Sequence, residues 1–233
     1  MSDPGEERPA GARLREIRQE EQGVVLVVTQ GDAVQTYTVA PDAVPSGLPP
    51  AGGEIDAPLL TEIRHAALRK QAARRIFALL DRRLRSRADL ERRLTAEGFE
   101  REHVVEVLDA FAAAGLHSDH DFAAAFCRDT LRRQEVGRIW LLSRLRGQGV
   151  PAGIAEQTVA AELPPAHERA LALAAARRRW GREPAGDPRR AEARVMRFLA
   201  SRGFPAALCR EAGRAAGPGR AAAGDLDPRE DDR

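Results

Sequence analysis

Three short stretches of this chain share one frame: LTAEGFE from Leu94, LRGQGVP from Leu145 and LASRGFP from Leu199. Each reads Leu-x-x-x-Gly followed by Phe or Val, and the glycines stand 51 and 54 residues apart. A period near fifty residues marks a repeated supersecondary unit. The frame also states what kind of unit it is. Leucine at the end of an apolar stripe anchors a helix, glycine takes the left-handed residue just past its C-terminus, and the apolar residue after it covers the corner. The spacing therefore predicts three-helix units, each with its middle helix ending at Gly98, Gly149 or Gly203. A unit of this size buries little core alone, so neighbours should share burial in an extended, curved array.

The remaining pattern fills in around that frame. Residues 1–22 are charged and contain Gly and Pro, and read as a disordered N-terminus with a frayed helical turn near Leu14–Arg18. Val24 to Val28 is apolar and β-branched, Gln30-Gly31-Asp32 signals a turn, and Val34 to Val39 alternates; together they predict a β-hairpin, with a Pro/Gly-rich loop completing residues 23–58. Residues 59–116 read as the first helical repeat, with a stripe of Leu59, Ile63, Ala66, Ala67, Lys70, Ala73, Arg74 and Phe77 on its first helix. Ser86-Arg87-Ala88-Asp89 reads as a capping box, and Val104, Val107, Leu108 and Phe111 precede a stop at Gly115. Residues 117–163 form the second repeat, opened by the Ser118-Asp119-His120-Asp121 box. Residues 164–216 form the third, in which Asp187-Pro188 starts the middle helix. Residues 217–233 read as a disordered acidic tail. The fold class is mainly α: three tandem three-helix repeats with a small N-terminal β-hairpin.

Charge is segregated although the formal net charge is only +2. Between Arg69 and Leu94 ten basic residues face three acidic ones; between Glu97 and Asp121 seven acidic residues face Arg101 alone. Separate basic and acidic faces follow. Lys70 is the only lysine, so the basic groups are planar guanidinium forks suited to carboxylate and phosphate. They cluster in every repeat: Arg82, Arg83, Arg85, Arg87, Arg92 and Arg93; then Arg128, Arg132, Arg133, Arg138, Arg144 and Arg146; then Arg177, Arg178, Arg179, Arg189, Arg190, Arg194 and Arg197. Any single member is ordinarily a solvated helical residue. Recurrence in all three repeats points to an anionic partner, with phosphate contacts that position without reading bases.

Other chemistry finds no support. Cys127 and Cys209 sit in apolar helical contexts and read as small buried hydrophobes. His65, His103, His117, His120 and His167 lack metal-ligand spacing, so no metal or cofactor is expected. Gly52-Gly53 lacks the Lys-Ser/Thr of a phosphate loop, and no nucleophile motif occurs. Trp140 and Trp180 read as core residues, with one of Ile139, Trp140 and Leu141 facing outward. No secretory signal and no membrane-length apolar run is seen, so a cytoplasmic location is expected; a monomer is the separate expectation for its assembly.

Three stretches resemble the RecX family: RRLRSRADLERRLTAEGFE, GLHSDHDFAAAFCRDTLR and RVMRFLASRGFP, in that order across residues 66–213. The run GEIDAPLLTEIRHAALRKQAARRIFALLDRR, with the hairpin before it, is similar to longer members that carry a β-rich N-terminal extension. His117 stands where an apolar residue is usual, Asp121 where a basic one is common, and the third repeat has no aromatic before Trp180 on its first helix. The resemblance implies a regulator rather than an enzyme: one that binds along the groove of the RecA–DNA filament and lowers its ATPase and strand-exchange activities. The implied partners are the RecA filament and single-stranded DNA, with double-stranded DNA second. A stand-alone nucleic-acid-binding helical protein is the alternative, since three-helix units also resemble helix-turn-helix modules; a protein scaffold without DNA is the third reading.

Overall fold

The structure is a computed structural model that describes residues 11–184 and 186–217. The N-terminal decapeptide and most of the acidic tail lie outside the described residues. Two compact units divide the chain, one of residues 11–85 and 89–117 and the other of residues 86–88 and 118–217.

The first unit begins with a four-stranded antiparallel sheet in the order β3-β2-β1-β4, from β1 (Ala12–Glu20), β2 (Gly23–Gln30), β3 (Ala33–Val39) and β4 (Glu54–Ile55). The β2–β3 hairpin lies where the alternation and turn signal place it. The disordered reading of residues 1–22 is corrected where the chain is described: Ala12–Glu20 is a full strand paired along β2, and residues 1–10 lie outside the described residues. Its sequence, ARLREIRQE, alternates weakly because a register shift between Leu14 and Glu16 interrupts the pleat. Leu14 thereby points into the core while Ile17 is 47% exposed. β2 is central, and Val25, Leu26, Val27 and Val28 are all buried, which explains its continuous apolar run.

Helix α1 (Ala57–Leu80) starts on Asp56, whose Oδ1 accepts from the Leu59 N–H at 2.9 Å. Its first half lays Leu60, Ile63, Ala66 and Ala67 against Leu14, Leu26 and Val39 of the sheet. Its second half turns Ala72, Ile76 and Leu79 into a second core with α2 (Arg87–Ala96) and α3 (Arg101–Ala113), through Leu90, Leu94, Val104 and Leu108. The predicted stripe holds as far as Ala67 and then shifts. Phe77 is 50% exposed, because the helix changes partners midway and its buried face rotates with them.

The second unit contains α4 (Asp119–Arg133), α5 (Arg138–Gly147), α6 (Ala152–Glu162), α7 (Pro165–Trp180), α8 (Pro188–Ser201) and α9 (Ala206–Ala215). Ser118 caps α4, its Oγ accepting from the N–H groups of His120 and Asp121 at 3.1 and 3.3 Å. Asp187 caps α8 through the Arg189 N–H at 2.9 Å, with Pro188 in the first turn. One core gathers Leu141, Leu145, Val159 and Leu163, another Ala172, Val195, Leu199 and Phe204, and Leu171 packs against both.

All three repeated glycines have positive φ: 94° at Gly98, 80° at Gly149 and 76° at Gly203. In each corner the residue after glycine donates its N–H to the leucine carbonyl five residues back: Phe99 to Leu94 at 3.0 Å, Val150 to Leu145 at 3.0 Å and Phe204 to Leu199 at 3.2 Å. That is the six-residue closure of a Schellman cap. The Gly203 corner does more. Its carbonyl accepts from the Ile139 N–H at 3.1 Å, and the Arg202 carbonyl from the Gly137 N–H at 2.9 Å. A Cβ on Gly203 would stand 2.3 Å from the Trp140 nitrogen. Backbone thus meets backbone where α5 begins, and a side chain at either glycine would hold the two apart.

Candidate nucleic-acid interface

A guanidinium can serve an external phosphate only if no buried carboxylate already holds it. The arginines divide on that criterion.

Around α2 they turn inward. Asp89, 6% exposed, receives Arg85 Nη1 and Arg93 Nε at 2.8 Å each, and Arg92 as a third partner. Burial pushes the Asp89 carboxyl up, but hydrogen bonds and charge from Arg93 and Arg85 outweigh it, and the group lies below its ordinary range. Arg85, predicted to face a partner, is itself only 8% exposed, and its carbonyl meets His117 Nε2 at 2.9 Å. Its place as a contact residue is corrected: it is a buried structural cation. Arg87 is half-buried and its backbone N–H donates to Asp119 Oδ1 at 2.8 Å. Ser86 Oγ, on the same turn, donates to the Gln148 carbonyl at 2.6 Å. Arg82 and Arg83, in the α1–α2 turn, are exposed and have no partner among the described residues.

Two further carboxylates hold arginine in the second unit. Glu168, 2% exposed, takes the Arg138 backbone N–H at 2.8 Å and its Nε at 2.6 Å, tying the start of α5 to α7. Glu183 holds Arg194 and, at 2.6 Å, Arg179. Arg128 meets the half-buried Glu162 at 2.8 Å, whereas Arg132 and Arg133 on Asp129 at 2.7 and 3.1 Å, Arg146–Glu156 at 2.9 Å and Arg190–Asp187 at 3.7 Å are solvent-exposed. Exposed pairs of this kind contribute at most about 1 kcal/mol, so a phosphate can replace the carboxylate. Arg144 lies 5.0 Å over the Trp140 ring. Arg197 is exposed beside an apolar groove of Met196 and Cys209.

Five arginines, three of them in such pairs, converge on one cleft. Between the end of α4, α7 and α8 lies an open cleft of about 350 Å³ lined by Arg133, Arg178, Arg179, Arg182 and Arg202 with Glu135 and Phe198. Arg178 reaches Glu135 at 2.5 Å. Arg182 and Arg202 have no carboxylate partner among the described residues, and the Arg202 guanidinium sits 5.1 Å over the Phe198 ring. Sequence reasoning missed both residues. Arg182 lies in the loop after Gly181 and Arg202 inside the LASRGFP corner, beside the capping glycine; a basic residue beside each helix end is the available signal. Phe198, read as a stripe residue, packs on the core with one side and lines the cleft with the other.

The thiols are not part of this surface. Burial pushes Cys127 up to about 11 and raises Cys209 as well, so both stay protonated and serve as packing atoms. Ile139 is the outward residue of its triplet, 53% exposed, and Leu141 is fully buried. Trp140 stacks on Phe126 with centroids 6.5 Å apart. Among the described residues no group of His, Cys, Asp and Glu is arranged to hold a metal ion, and no helix is long and apolar enough to cross a membrane.

Among the described residues, nine helices in three successive groups, glycine-capped at matching corners and lined with guanidinium groups, define a tandem helical-repeat protein. The chain belongs to the RecX family. A model of that family's third three-helix domain matches residues 167–212. The regulatory protein RecX of Corynebacterium efficiens is 37% identical over 151 residues, covering 63% of this chain and 71% of that one. The corresponding protein of Chromohalobacter salexigens is 40% identical over 126 residues, covering 54% and 80%. A crystal structure of a regulatory protein RecX superimposes with a TM-score of 0.70 at 20% identity, over 84% of this chain and 96% of the other. That of RecX from Lactobacillus salivarius gives 0.61 at 15%, over 64% and 96%.

Proposed function

We propose that this chain is a non-catalytic regulator of the RecA recombinase that lies along the groove of the RecA–DNA filament and lowers its ATPase and strand-exchange activities. Family membership supports the regulatory role. The observation that carries the binding mode is the α4–α7–α8 cleft, where Arg182 and Arg202 have no carboxylate partner among the described residues, on a surface that also offers Arg133, whose pair with Asp129 is solvent-exposed. Planar forks on a firm helical frame suit phosphate oxygens, and such contacts give affinity without base selection. The protein acts as a monomer in this reading.

The test is RecA ATPase on single-stranded DNA with increasing amounts of the chain. The wild type lowers the rate, and Arg182→Glu with Arg202→Glu, checked for unchanged helicity, needs about tenfold more protein for the same effect, since each tenfold is near 1.4 kcal/mol. An ATPase rate that the wild type leaves untouched overturns the proposal. Equal affinity for bare oligonucleotide and for the filament would instead favour a stand-alone nucleic-acid binder.

A further inference from the structure

Counted from the capping glycine, the three repeats differ in how the middle and last helices are joined across the groove between them. In the first repeat Glu91 of α2, seven residues before Gly98, pairs with Arg101 of α3, three after it. In the second, Arg146 of α5, three before Gly149, pairs with Glu156 of α6, seven after it, at 2.9 Å. The third repeat has Met196 and Ala206 at the first pair of positions and Ala200 and Arg210 at the second, so neither bridge can form. What remains between α8 and α9 is an open, mainly apolar groove of about 600 Å³, floored by Met196, Ala200, Ala206 and Cys209 and edged by Arg197 and Arg210. The alanines are too short to fill it. Arg214 meets Glu192 at 3.8 Å one turn further along α9, whereas Arg197 and Arg210 are exposed and have no carboxylate partner among the described residues.

We propose that this groove docks an acidic amphipathic helix of a partner protein, its apolar stripe on Met196 and Cys209 and its carboxylates on Arg210 and Arg197. Charge complementarity selects the occupant. Arg210 stands where the second repeat carries Glu156, and the position facing it is alanine rather than an opposite charge, so the partner supplies the carboxylate that the repeat lacks. Small side chains let a second helix approach closely, and an apolar helical stripe laid in such a groove is a recurring mode of recognition. The Met196 thioether adapts to the side chain laid on it. The groove and the arginine cleft lie on different sides of α8: Met196 and Ala200 stand two residues before Phe198 and Arg202, about half a turn round the helix. The docking therefore stands on the third repeat alone and is independent of the phosphate contacts proposed for the cleft.

The test uses the full chain and a fluorescein-labelled helical peptide of about sixteen residues, with leucine at every third or fourth position and glutamate beside each leucine. A second peptide carries lysine in place of each glutamate. By fluorescence anisotropy at low salt the wild type should bind the glutamate peptide with a Kd of order 100 μM or tighter, and the lysine peptide about fivefold more weakly, as an exposed ion pair allows. Arg210→Glu should reverse that preference. Ala200→Arg together with Arg210→Glu rebuilds the bridge of the second repeat inside the third, and should abolish binding of both peptides with helicity unchanged. If this bridged variant misfolds, Arg210→Glu, at an exposed position, decides alone. No binding of either peptide by the wild type at about 1 mM overturns the proposal, as does equal affinity for the two. A bridged variant that stays folded and binds like the wild type places the peptide elsewhere and overturns it too. Sedimentation that shows a wild-type dimer dispersed in the bridged variant would make the occupant a second copy of this chain. Loss of oligo-dT binding in the bridged variant would make it a nucleic acid. Either result overturns docking of a partner helix.

Discussion

The Asp89 hub in the first unit and the cleft in the second are both dense in arginine and differ in what the arginines do. At the hub one carboxylate, nearly out of solvent, collects Arg85, Arg92 and Arg93, and Arg85 is buried with it. In the cleft the carboxylates among the described residues are fewer than the guanidinium groups, and Arg182 and Arg202 remain over. A run of arginines in a sequence is therefore an ambiguous signal. The same residue type is a structural counter-ion where a buried carboxylate faces it and remains accessible to external anions where none does. The difference is one of solvation: a paired buried charge cannot leave its partner without a penalty of several kcal/mol, whereas an exposed one exchanges partners almost freely.

The contrast is open to direct attack. The largest effect is expected for Asp89→Ala, which leaves Arg85 buried without its carboxylate and should cost about 3–5 kcal/mol in urea unfolding of the whole chain. A loss below about 1 kcal/mol would mean that the hub behaves like a surface pair. Its pH dependence has a definite sign. The folded carboxyl titrates below its ordinary range, so its contribution is whole above about pH 4 and disappears as pH falls through the lower folded value. Asp89→Asn should remove that part of the acid sensitivity and flatten the melting temperature between neutral pH and about pH 3.

Next in size is Gly203→Ala, expected to cost about 2–3 kcal/mol, because a positive φ and an overlap with the Trp140 backbone act together. Charge reversal at Arg182 and Arg202 should follow: roughly tenfold weaker oligonucleotide binding and a shallower dependence on salt, with melting nearly unchanged. Gly98→Ala should cost only about 1 kcal/mol, since its φ of 94° is strained but nothing lies within 4 Å of the added Cβ. Equal melting temperatures for the Gly203 and Gly98 variants would show that the backbone contact at α5 adds no stability. Smallest of all is Arg92→Glu, on the exposed rim of the hub, which should change oligonucleotide affinity by less than about twofold; a tenfold loss would move the anion site to the hub.

Features that depend on neighbours in sequence were legible from the sequence. The glycine corners at 98, 149 and 203 were, because a left-handed residue after a leucine-anchored turn is a local steric demand, as were the Ser118 and Asp187 caps, which satisfy backbone N–H groups within a few residues. The hairpin of β2 and β3 was equally local. Pairing decided the rest. ARLREIRQE has no pattern that insists on a strand, and it becomes one because β2 and β4 offer hydrogen-bond partners on either side. The buried face of α1 rotates after Ala67 because the sheet gives way to α2 and α3 as its neighbour. The worth of each arginine was likewise a tertiary matter. Glu168 lies 30 residues from Arg138 and Glu135 lies 43 from Arg178, so no local rule connects them. Arg182 and Arg202 meet across one cleft only when α7 and α8 pack. Local sterics and hydrogen bonding wrote the repeats into the sequence; long-range packing, which sets solvation, decided which charges remain available to a partner.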